Sequence, residues 1–95
     1  MQFAREIHAG IASGAVTLSY RLWARPHARV GGRYRVGDVT IELDDMELVP
    51  FGSITASEVR RTGSKDLEAL RTIAAHAGPI DDDTLVYRIE FHVAR

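Results

Sequence analysis

Apolar and polar positions recur with two different periods along this chain, and each change of period marks an element. Phe3, Ile7 and Ile11 fall at helical spacing, which predicts a short helix from Phe3 to Ala12, stopped by Ser13-Gly14. Gly10 inside that stretch costs about 1 kcal/mol relative to alanine. From Val16 to Trp23 the period drops to two. Val16, Leu18, Tyr20 and Leu22 take one side, and Thr17, Ser19, Arg21 and Trp23 take the other, as in a half-buried strand. Ala24 to Val30, with Pro26, reads as a loop, and Gly31-Gly32 as a sharp turn with positive φ. Arg33 to Val36 is a short strand closed by a Gly37-Asp38 turn. Val39, Ile41 and Leu43 alternate with Thr40 and Glu42. Asp44-Asp45 interrupts this strand as a bulge or tight bend, and Met46, Leu48 and Val49 continue it to Pro50, where a ladder ends or reaches an edge.

Helical signals then return. Thr55 and Glu58 have the spacing of a capping box, in which each side chain satisfies a backbone N–H at the helix start. That helix, Ala56 to Thr62, meets a left-handed stop at Gly63. A second helix starts near Ser64 or Asp66, puts Leu67, Leu70, Ile73 and Ala74 on one face, and stops at Gly78-Pro79. Asp81-Asp82-Asp83 is a loop. In the last alternating run Leu85, Tyr87, Ile89, Phe91 and Val93 face inward, and Arg88, Glu90 and His92 face outward. The expected architecture is a mixed α+β, mostly antiparallel fold. An N-terminal helix opens it, two short helices precede the last strand, and that strand sits centrally and closes a barrel.

Length and composition bound the rest. Ninety-five residues suit one domain, 1–95, with room for a single core. The absence of cysteine leaves no disulfide framework or thiolate metal site and fits a reducing cytoplasm. Arg5, Glu6 and His8 break up the apolar N-terminal stretch, unlike a signal peptide, and no run approaches bilayer length, so no membrane partner is expected. The formal charge is −1, but it is unevenly spread: residues 1–37 hold six arginines against Glu6, and residues 38–95 hold six basic and twelve acidic residues. Such asymmetry fits a side that faces a polyanion, and it equally fits two solvated faces that segregate in sequence.

The order of these features resembles the ASCH domain family, within the wider PUA-like class. The likeness lies in Ile11-Ala12-Ser13-Gly14 followed by Thr17-Leu18-Ser19-Tyr20-Arg21, and in the glycine turn Val30-Gly31-Gly32-Arg33-Tyr34. It continues through Ile54-Thr55 to Gly63 with Leu67 to Leu70, and in the closing Val86-Tyr87-Arg88-Ile89-Glu90-Phe91. The resemblance spans the chain and is to the small stand-alone bacterial type. It implies a PUA-like barrel with a cleft beside the first helix and an RNA-linked role. One bacterial branch of the family hydrolyses acetylcytidine with a lysine, a threonine and a glutamate. Here Val16 stands at the lysine position, Ser19 at the threonine position, and Ala69 at the glutamate position with Glu68 beside it.

RNA or a nucleotide is therefore the expected partner. Thr17, Ser19, Arg21 and Trp23 would offer hydroxyls, a guanidinium and a stacking ring on one strand face. Arg5 and Arg25 would flank them as a phosphate-positioning rim, with Arg29 and Arg33 further out. A solvated polar strand face is the alternative. If the protein is a hydrolase of RNA or of modified nucleosides, Ser19, Arg21, Glu68 and His8 are its candidates, though the lysine is absent. A protein-interaction module is a third reading, with no partner indicated. His27, His76 and His92 show no ligand spacing, and neither a metal nor any other cofactor is called for.

Overall fold

In a computed structural model, the described residues are 1–75 and 78–94, and His76 lies outside them. A 3-10 turn at Arg5–Ile7 leads into α1 (His8–Ser13). Then come β1 (Leu18–Arg21), β2 (Arg33–Val36), β3 (Val39–Pro50), α2 (Ala56–Arg61), α3 (Leu67–Ala74) and β4 (Leu85–Ala94). The four strands form one antiparallel sheet in the order β1-β4-β3-β2. The last strand is central, as its long alternation requires.

The sheet is open, which corrects the expected barrel. Two of its four strands have only four residues, and four strands give too little sheet to curl around a filled interior. β1 and β2 therefore remain its two edges among the described residues.

Both faces of the sheet are covered. On one, Leu18, Tyr20 and Val86 pack with Val59 of α2, Leu70 and Ala74 of α3, and Phe51. On the other, Val36, Ile41, Leu43, Ile89 and Phe91 pack with Ile11 of α1, while Phe3 and Ile7 close over them. Strand periodicity sorts these residues correctly with three exceptions. Val86, on the outward-facing parity of β4, is fully buried against α2 and α3. Val16 belongs to the α1 core instead of joining Leu18 and Tyr20, because it precedes β1 and its N–H donates to the Gly10 carbonyl at 3.0 Å. Leu85, expected inside, is 53% exposed, because β4 starts there beyond the covered part of the sheet.

Local signals account for the boundaries. Gly14 caps α1 in the left-handed region at φ 86°, and its missing Cβ makes that conformation cheap. Thr55 and Glu58 form the capping box of α2. Asp66 caps α3 by accepting from the Ala69 N–H at 2.8 Å, which places the helix start at Leu67. The β3–β4 register skips between Leu43 and Asp45. Asp44 is thus the extra residue of a bulge, as the Asp44-Asp45 interruption indicates.

Candidate nucleic-acid interface

β1 is an edge strand, so one row of its backbone groups faces away from β4. That edge forms the floor of a cleft of about 420 Å³. Gln2, Phe3, Ala4 and Ile7 make one wall. The α2–α3 turn (Thr62, Gly63, Ser64) and Leu70, Ile73 and Ala74 of α3 make the other. Gly63 brings the walls together at one end: at φ 83° it ends α2, and the Ile7 Cγ2 lies 3.0 Å from where a Cβ would stand. Ile73, assigned to the buried helix face by its spacing, is 60% exposed and lines the cleft.

From β1 the cleft receives Leu18, Ser19, Tyr20 and Arg21, followed by Leu22 and Trp23. Arg21 is the charged group of this lining. Its Nε donates to Ser19 Oγ at 2.8 Å, its Nη2 donates to the Gln2 carbonyl at 2.6 Å, and the guanidinium lies 4.8 Å from the centre of the Phe3 ring. Burial pushes its pKa down from the ordinary arginine value, and it remains a cation near neutrality.

Four arginines among the described residues are half-buried: Arg21, Arg61, Arg71 and Arg88. Arg61 pairs with Glu90, Arg71 with Asp82 and Glu68, and Arg88 with Glu58. No carboxylate among the described residues pairs with Arg21. Its fixed partners are a hydroxyl, a carbonyl and an aromatic ring, so the charge in the cleft is stabilised without being neutralised.

Trp23 continues this arrangement onto the sheet. It stacks on His27 at 5.1 Å and 12°, and it meets Tyr87 of β4 at 5.8 Å and 44°. Tyr87 is the cross-strand partner of Arg21.

The other predicted site residues lie elsewhere. The Thr17 hydroxyl accepts from Arg61 Nε at 2.9 Å and belongs to an ion-paired chain beneath α2. Arg5 and Arg25 are exposed and outside the cleft lining. Arg33 and Arg35 are on β2, the far edge from β1. His8 hydrogen-bonds the Phe3 carbonyl and lines a separate depression with Arg35 and Gly37. Glu68 pairs with Arg71, away from the cleft lining. Of the four hydrolase candidates, the fold brings together only Ser19 and Arg21.

The chain beneath α2 was not foreseen. Arg88 and Glu90 alternate outward on β4, yet they meet α2 instead of water. The side chain of Arg88 is only 16% exposed, and its Nε donates to Glu58 at 3.0 Å. Glu58 is held below the usual carboxylate range, first by the Thr55 backbone N–H and then by Arg88. Glu90 is held low mainly by Arg61. The Tyr20 hydroxyl is pushed up to about 12, chiefly by burial. Alternation reveals that these residues share a face but not what covers it.

His92 also gains neighbours. The Asp44 bulge brings Glu42, Asp44 and His92 together, with their ligand atoms within 4.8 Å of one another. Glu42 is paired with Arg33 and Asp44 with His92 Nδ1, so each carboxylate already has a partner.

No protein-family model matches the sequence, and no curated protein matches it. Solved structures do. A crystal structure of an ASCH domain from Lactobacillus crispatus superposes with a TM-score of 0.78 at 16% identity, over 98% of this chain and 77% of that one. The chain has the ASCH-domain fold. A protein from Enterococcus faecalis assigned to DUF984 matches at 0.73 and 14% identity, over 94% and 67% of the two chains. The hypothetical protein PH0355 matches at 0.72 and 16%, over 99% and 96%. The ASCH resemblance seen in the sequence thus holds for the fold. No helix among the described residues is long and apolar enough to cross a membrane.

Proposed function

We propose that this protein is a single-domain cytoplasmic module that binds RNA or a nucleotide in the β1 cleft, with Arg21 taking a phosphate. The observation that carries this reading is Arg21 itself, the half-buried arginine without a carboxylate among the described residues. Burying a cation without a counter-charge is costly, and a phosphate oxygen would supply the missing partner in a geometry suited to the guanidinium fork. The Ser19 hydroxyl orients Nε, and Trp23 adds an aromatic surface beside it. The ASCH fold supports the same assignment, and the lack of cysteine fits the compartment.

Binding is favoured over hydrolysis by the content of the cleft. Its lining holds no lysine, histidine or carboxylate among the described residues, so the Ser19 hydroxyl has no general base beside it. Val16, at the position of the family's lysine, is buried under Gly10.

The test is a salt titration of a labelled RNA oligonucleotide, read by fluorescence anisotropy. Arg21→Ala is expected to weaken binding about tenfold and to reduce the salt slope by roughly one. Arg33→Ala, on the opposite sheet edge, is expected to leave affinity unchanged. Absence of binding to RNA and to mononucleotides at low salt would overturn the proposal.

A further inference from the structure

Resting on the nucleic-acid reading, we propose that the ligand is single-stranded and that one of its bases stacks on a ladder of Tyr87, Trp23 and His27. The ladder crosses from the sheet to a loop. Arg21 and Tyr87 are cross-strand partners, and Tyr87 in turn pairs with Leu48 of β3. These three residues form one row across the sheet, cation first, ring second and aliphatic third. Trp23 follows β1 and bridges Tyr87 to His27, which is exposed on the loop. Tyr87 and Trp23 are half-buried, and Leu48 and Leu85 beyond them are 51% and 53% exposed.

Three aromatic rings at the rim of an apolar sheet surface need an occupant with a flat, partly apolar face. The charge beside them selects which one. Arg21 lies in the same row as Tyr87 without a carboxylate partner among the described residues, and Arg25 is exposed between Trp23 and His27 in sequence. A base with its own phosphate meets both requirements, with the ring on the ladder and the anion on the guanidinium. Stacking needs an unstacked base, which a single strand offers and a duplex does not. Any base has a π-face, so the ladder tolerates sequence variation.

Trp23 is the chain's single tryptophan, so its emission reports the ladder alone. The experiment titrates the full chain at low salt with an end-labelled single-stranded RNA and with the same strand annealed to its complement. Label anisotropy and tryptophan emission are followed together. The single strand is expected to bind at least tenfold more tightly than the duplex, with Trp23 quenched along the same isotherm. Tyr87→Ala and His27→Ala should each weaken the single strand about tenfold, and Tyr87→Phe should retain affinity. His27 is exposed, so its variant decides even if loss of Tyr87 impairs folding, which circular dichroism would show. Arg21-dependent binding without quenching, or with unchanged affinity in His27→Ala and Tyr87→Ala, overturns the ladder and leaves the RNA reading standing. Equal affinity for the duplex does the same. Absence of binding to either RNA overturns both.

Discussion

Gly10 shows how one missing atom can position two segments. A helix-interior glycine costs about 1 kcal/mol in propensity, yet a Cβ there would lie 2.8 Å from Val16 Cγ2. Val16 is 5% exposed and has little room to move. Gly10→Ala is therefore expected to destabilise by about 1–2 kcal/mol in urea denaturation, because overpacking outweighs propensity. Adding Val16→Ala should recover part of that loss. The titratable residues act at the same scale and in opposite directions. Glu58 and Glu90 have folded pKa values below their unfolded value of about 4.3. Their contribution to stability is thus complete above that value and is lost as pH falls through the folded pKa values. Glu58→Gln combined with Glu90→Gln should flatten the acid limb of a stability–pH curve. Tyr20, raised to about 12, contributes fully below its unfolded pKa of about 10 and loses that contribution as pH rises toward 12. Tyr20→Phe should remove this alkaline decline.

At the scale of elements, local chemistry was the most legible part of the sequence. The capping box at Thr55 and Glu58 and the strand Arg33–Val36 lie where short-range pattern places them, since each depends on contacts within a few residues, and the bulge at Asp44 falls where the alternation breaks. Thr55→Ala should cost about 1 kcal/mol of stability, measured by urea denaturation. The candidate site was legible only along β1. Ser19, Arg21 and Trp23 could be singled out because they share a strand face, whereas the cleft walls come from residues 2–7 and 62–74. No periodicity links those two segments, which meet only through tertiary packing. Ile73 illustrates the same limit: helical spacing gives its face, but the width of α3's contact with the sheet decides whether that position is covered.

Across the whole molecule, charge segregation proved a coarse guide. Six arginines fall in residues 1–37, yet the fold sends Arg33 and Arg35 to β2 and Arg21 to the opposite edge strand. What distinguishes Arg21 is the lack of a neutralising partner among the described residues, which only the folded arrangement reveals. Barrel closure was unreadable for a related reason, since it depends on how edges meet and not on any one strand. The central position of β4 has a mechanical consequence. This strand gives Val86 to the core under α2 and α3, and Ile89 and Phe91 to the core under α1. Neither layer can loosen without disturbing the strand that anchors the other, so the two should melt as one cooperative unit. Ile89→Ala, costing about 2–5 kcal/mol, should speed amide exchange in α2 as much as in the α1 layer it directly contacts.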